Sequence, residues 1–189
     1  MPGPGPLTAP LVVGLYGKLP AHGDFVRRAL PRSFCDPWDE WLQRGMEAAR
    51  DALGEGWAAA WEAAPCWRFA LPAGACGPDP VAGVLATSSD TVGRRFPLTA
   101  AAIWPGAVEG RWPAGWFAAL EGAVHAAREA GFDADALAAL LPVPDAVDPA
   151  EAPAPGWWTA GAEAAPGLVW PLPALPAAEE FILLLEAPA

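Results

Sequence analysis

Along this chain, apolar runs of five or six residues alternate with longer stretches whose apolar positions recur every three or four. The first pattern predicts strands and the second helices. Leu11 to Tyr16 is an apolar run bounded by Gly17 and predicts a first, buried strand. Trp38, Trp41, Leu42, Met46, Ala49 and Leu53 keep i, i+3/i+4 spacing, the buried stripe of a helix that reaches about Leu53 and stops at Gly54. Ser33 or Asp36 is placed to cap that helix, with Pro37 in its first turn, where a missing N–H costs nothing. Trp57 and Trp61 stand four apart, on one face of a second short helix. Trp67–Leu71, Val81–Ala86 and Leu98–Trp104 are near-continuous apolar strands, as expected of a sheet covered on both faces. Pro113 opens a helix to about Ala130 with Trp116, Phe117, Leu120 and Val124 on one face, and Gly131 ends it. Asp133 caps another helix to Leu141. Trp157–Trp158, Leu168–Leu172 and Phe181–Leu185 predict later strands, the last most clearly. Interleaved strands and helices favour an α/β layered domain.

With 189 residues the chain is one domain by length and long enough to bury a substantial core. Residues 1–10, with four prolines and two glycines, predict a flexible leader, and 11–189 a single domain. Within it, 142–155 combines five prolines with Asp145, Asp148 and Glu151 and predicts an exposed acidic loop. Eleven tryptophans carry most of the large-surface burial. The net charge of −11 is uneven: residues 1–100 hold nine basic and ten acidic side chains, residues 101–189 two against twelve. Such an acidic half repels nucleic acid and anionic membrane and steers basic partners toward itself. Three cysteines outside any CxxC, with only His22 and His125 to join them, do not make a zinc site, and three buried thiols in a reducing cytoplasm is the expectation. The opening MPGPGPLTAP lacks the basic region of a signal peptide, and no apolar stretch approaches the ~20 residues of a membrane helix, so a soluble, cytoplasmic protein is expected.

Two polar segments interrupt the pattern. Gly17 to Arg32 holds Lys18, His22, Asp24 and three arginines. A phosphate-binding loop requires G-x-x-x-x-G-K-[ST]; here Gly14 is only three residues before Gly17 and Leu19 replaces the hydroxyl, so nucleotide binding is disfavoured. The alternative is a structural turn in which Asp24 pairs with Lys18 or caps a local N–H. Thr87 to Arg95 gathers Ser88, Ser89, Asp90, Arg94 and Arg95 between two strands, where open α/β sheets tend to bind ligands. No nucleophile elbow surrounds either serine, and His22 serves only if the fold brings the two segments together. An Asp90–Arg94 ion pair stiffening the turn, with Gly93 at an unusual backbone angle, is the structural alternative.

The stretches GLYGKLPAHGDFVRRALPRSFCDPWDEWLQ and CWRFALPAGACG…AGVLATSSDTVGRRFPLTAA resemble the TagF (ImpM) family of type VI secretion accessory proteins over about Gly14 to Ala102. Ser88 fits the S-x-D spacing of that pattern, and Val81 stands where relatives often carry tryptophan. The resemblance implies a single three-layer α/β/α sandwich with a mixed central sheet, no catalytic activity and no cofactor. It further implies post-translational repression of the secretion apparatus through a forkhead-associated scaffold protein. On that reading Lys18, Asp24, Ser88, Asp90, Arg94 and Arg95 are the candidate partner- or ligand-binding residues. A small-ligand or hydrolytic site on the same loops, and a structural part of the apparatus, remain the alternatives.

Overall fold

The computed structural model describes residues 10–106, 112–145, 153–161 and 167–186. The leader, apart from Pro10, and residues 146–152 of the acidic loop lie outside them.

Seven strands form one sheet: β1 (Val12–Gly17), β2 (Val26–Arg28), β3 (Trp67–Leu71), β4 (Val81–Ala86), β5 (Leu98–Ile103), β6 (Gly156–Thr159) and β7 (Val169–Trp170). Their spatial order is β2-β1-β5-β4-β3-β6-β7. Every pairing is antiparallel, so the mixed sheet expected from the resemblance is corrected. Connection length explains this, since β3, β4 and β5 are joined by loops without a helix, and a parallel neighbour needs a crossover of a dozen or more residues. The segment Gly17–Arg32 is not wholly loop either. Its Val26–Arg28 folds back as edge strand β2, Tyr16 opposite Arg27.

The sheet is apolar on both faces because both are covered. Trp67, Phe69, Leu71, Val81, Leu85, Ala101 and Ile103 pack with α1 (Arg32–Leu53) and α2 (Trp57–Ala63). Their strand neighbours Ala70, Ala82, Val84, Ala86, Leu98, Ala100 and Ala102 pack with α3 (Ala114–Ala130) and α4 (Ala134–Leu140). Large rings fill the first cluster, and Trp38 lies against Phe69 with ring centroids 4.9 Å apart. Its indole donates to Thr99 Oγ1 at 2.8 Å, so the buried polar groups of both are satisfied. On the second face alanines on the sheet leave room for Trp116, Phe117 and Leu120 of α3. Gly131, in the left-handed conformation, ends α3, and Asp133 caps α4 by accepting from Ala136 N at 2.8 Å.

The N-terminus of α1 departs from expectation. The helix starts at Arg32 after Pro31, no side chain caps it, and Pro37 lies inside the helix instead of in its first turn. Pro37 has no N–H to offer the Ser33 carbonyl. The chain at Gly77 approaches that same carbonyl so closely that a β-carbon there would stand 3.3 Å from Ser33 C.

The segment Phe181–Leu185, expected as a strand, is helical: a 3-10 turn over Ala178–Phe181 leads into α5 (Ile182–Leu185). Phe181, Leu184 and Leu185 are buried at i, i+3 and i+4, and Leu183 is exposed, a helical stripe too short to be told from a buried strand by periodicity. Phe181 sits on α1 at Gly45, where a β-carbon would run into the ring, 2.6 Å from its Cγ. Gly45→Ala is therefore expected to destabilise by roughly 1–3 kcal/mol through overpacking. In an exposed helix the same change gains roughly 1 kcal/mol. Urea denaturation decides the sign, and Phe181→Leu in the same chain should recover part of the loss.

Candidate functional site

The two polar segments meet. Thr91 N donates to His22 O at 2.9 Å, and Arg94 Nη2 donates to Gly23 O at 2.6 Å. Beneath these contacts Lys18 Nζ donates to Asp90 Oδ2 at 2.9 Å, with both side chains buried. Asp90 is the hub of the second segment. Its Oδ1 accepts from Val92 N at 3.1 Å and Arg94 N at 2.9 Å, and its Oδ2 also accepts from Arg94 Nε at 2.7 Å. Gly93 turns the chain at φ 81°, a left-handed angle that glycine adopts without strain. Burial alone would raise the Asp90 pKa. The hydrogen bonds from Lys18, Arg94 and Val92 outweigh it and hold the carboxyl well below the usual carboxylate range. The Asp90–Arg94 pair weighed from the sequence is thus present, but Lys18 pairs with Asp90 and not with Asp24, whose Oδ1 accepts from Phe25 N.

The six candidate residues divide into two sets. Lys18 and Asp90 are buried against each other and offer no contact surface, and Ser88, also buried, borders the cleft at this end of the sheet. Asp24 and Arg94 are exposed, and Arg95, half-buried, reaches Glu62 through Nη2 at 3.3 Å while its Nε has no partner among the described residues. Three further side chains belong to this surface. Phe25 is exposed yet fixed by an edge contact with Phe96 at 4.7 Å, and Lys18 Nζ lies 5.0 Å from the centre of its ring. Val92 is 72% exposed at the tip of the Asp90 turn. Tyr16, stacked on Phe25 with centroids 6.2 Å apart, donates its hydroxyl to Asp39 Oδ1 at 2.5 Å. Burial, reinforced by Asp39, raises its pKa far above the ordinary phenol value. Phe25 was legible as the last letter of Gly23-Asp24-Phe25, whereas nothing in the local sequence marks Val92 as exposed.

His22 has a structural task. Its Nε2 accepts from Ala134 N at 2.9 Å, so the imidazole ties the first segment to the start of α4 and that nitrogen is already engaged. Arg28 and Asp135 join β2 to α4 alongside it, Nε to Oδ1 at 2.5 Å. Of Lys18, Asp24, Ser88 and Asp90, only Ser88 lines the cleft at this end of the sheet, a space of about 190 Å³ bounded by Pro20, Trp61, Thr87, Ser89, His125 and Arg128 among others. His125 makes no hydrogen bond to either serine there; its Nε2 instead faces Glu129 Oε1 at 3.4 Å. Burial pushes the thiols of Cys35, Cys66 and Cys76 up to about 11, 12 and 12, so at neutral pH they are protonated and poor nucleophiles.

Lys18→Met removes one of two cations from a buried carboxylate that Arg94 and two N–H groups still hold, so it is expected to cost roughly 1–3 kcal/mol, read by denaturant unfolding. Asp90 adds a pH dependence. Its folded pKa is depressed, so at acid pH the unfolded chain takes up the proton first and stability rises with pH across that window. The contribution is complete above about pH 4 and is lost as the pH falls through the folded value. Asp90→Asn should flatten the acid limb of Tm against pH; an unchanged limb would mean that the pair contributes nothing to stability.

No curated protein matches the chain. The crystal structure of PA0076 from Pseudomonas aeruginosa PAO1 is similar, with a TM-score of 0.74 and 33% identity over 92% of this chain and 93% of that one. The family model for the TagF N-terminal domain, type VI secretion system-associated, matches residues 14–142, which include both polar segments and the whole Asp90 hub. The chain belongs to the TagF family of type VI secretion system-associated proteins.

Proposed function

We propose that this protein is a cytoplasmic, post-translational negative regulator of type VI secretion, a binding module that sequesters a forkhead-associated scaffold component and catalyses no reaction. The covered sheet, read as the middle layer of a three-layer sandwich, is the platform. The contact surface is the outer side of the paired polar segments, with Phe25 and Val92 as apolar anchors and Asp24 and Arg94 as the polar rim. The observation that carries this reading is an exposed aromatic, an exposed valine and an exposed arginine held rigid over a buried ion pair. Rigid aromatic and arginine side chains supply most of the energy at protein interfaces, because little conformational entropy is lost when they dock.

Two measurements test the proposal. Val92→Glu places a charge at an exposed tip where no contact is lost, so stability should change by no more than about 0.5 kcal/mol. The same substitution should weaken capture of the scaffold component by about tenfold if the valine is buried on binding. Undiminished capture by Val92→Glu and by Phe25→Ala would move the interface elsewhere. Overexpression of the wild-type chain should silence secretion; a structural part of the apparatus would not do so.

A further inference from the structure

The cleft at the end of β4 holds functionality that neither the fold nor the proposed partner surface uses. Thr87, Ser88 and Ser89 follow β4 directly and form one wall. Trp61 and Glu62 of α2 form a second, and His125, Arg128 and Glu129 of α3 a third. Ser88 is only 6% exposed, and its Oγ has no hydrogen-bond partner among the described residues. A buried hydroxyl without a partner is costly, and hydroxyls in that position are usually satisfied by water or a ligand.

The charges in the cleft are unequally committed. Glu62 is engaged by Arg95, and Glu129 faces His125. Among the described residues no carboxylate pairs with Arg128, which is half-buried. The uncommitted groups are therefore one guanidinium and the hydroxyl side chains of Thr87, Ser88 and Ser89, with the Trp61 ring closing one side. Trp61 Nε1 is not available, because it donates to Ser88 O at 3.2 Å. That same bond fixes the Ser88 backbone to α2 and holds the serine in place. A guanidinium and hydroxyl donors suit an oxyanion, and a carboxylate takes a fork of two such donors. The space of about 190 Å³ admits a few heavy atoms beyond the carboxylate and no nucleotide.

We propose that this cleft binds a carboxylate group, with Arg128 as its counter-ion and the Ser88 hydroxyl as a donor from the floor. Two sources present the same chemistry, a free small dicarboxylate and an acidic side chain of a protein segment. The site is separate from the Phe25–Val92 surface, so its test does not depend on that surface.

The test uses the full chain labelled with 15N, titrated at constant ionic strength with succinate in one arm and with a capped Gly-Gly-Glu-Gly-Gly peptide in the other. Chloride serves as the reference anion. Saturable shifts confined to residues 87–89 and the Arg128 side chain are expected in at least one arm, and the tighter arm identifies the source. Arg128→Gln should weaken binding about tenfold or more, the worth of one charge-assisted hydrogen bond. Ser88→Ala should weaken it less. Neither side chain has a protein partner among the described residues, so neither variant should lower the wild-type Tm, and that measurement accompanies the titration. Shifts that never saturate, that chloride reproduces, or that survive Arg128→Gln would overturn the proposal. So would Ser88→Ala leaving binding unchanged, which would assign that hydroxyl to a buried water alone.

Discussion

A lysine and an aspartate seventy-two residues apart, buried against each other, set the arrangement on which the rest of this domain's surface depends. Neither charge could enter the interior alone, since the desolvation of an unpaired ion exceeds what packing returns. Lys18 follows directly on β1 and Asp90 lies on the loop between β4 and β5, so the pair adds a buried side-chain tie between two segments that the Gly17–Leu98 pairing and the Lys18 N–Pro97 O bond set side by side. Everything exposed nearby inherits its position from that pair. Phe25 rests on Phe96 and beside the Lys18 ammonium, Arg94 is held by Asp90, and Val92 projects from the turn whose N–H groups Asp90 collects. A buried pair stabilises weakly compared with a hydrophobic replacement, but it tolerates only one register of its two loops. That geometric exclusivity is the property a recognition surface needs.

Much of the fold was legible because apolar periodicity was strong. The stripe Trp38–Ala49 gave α1 and its burial, the runs after Trp67 gave three central strands, and Asp133 gave the start of α4. Failures fell where periodicity carries no information. Five residues from Phe181 to Leu185 are equally apolar as strand or helix, and only docking on α1 chooses between them. Strand direction is not told by the apolar runs, which read the same in parallel and antiparallel sheets covered on both faces; the short helix-free connections from Trp67 to Ile103 carried it instead.

The candidate site shows the same division. Residue types and spacing identified Asp90 and Arg94 as a stiffened turn, because a carboxylate four residues before an arginine is a local relation. Lys18 with Asp90 is a relation between distant segments, invisible until the sheet brings their loops together. His22 was a possible base only on the condition that the two segments met; they do meet, and its Nε2 nevertheless serves as an acceptor for a helix N–H. Arg128 and Ser88 were legible only as one helix residue and one loop hydroxyl, and their shared cleft is a product of tertiary packing.

The docking of the chain's last helical turn on α1 has a consequence for how the molecule comes into being. Trp41 donates its indole N–H to Pro176 O and Trp67 donates to Leu184 O, contacts that span 135 and 117 residues. Phe181 closes over Gly45 in the same place. During synthesis, α1 and the central strands emerge long before these partners. The tryptophan-rich face therefore stays open to water, with the Trp41 and Trp67 indole N–H groups bonded to solvent, until residues 176–185 have left the ribosome. The opposite face, where α3 and α4 lie nearer in sequence to β4 and β5, closes earlier. Sequence order alone thus makes the partners of this aromatic surface the later ones to become available.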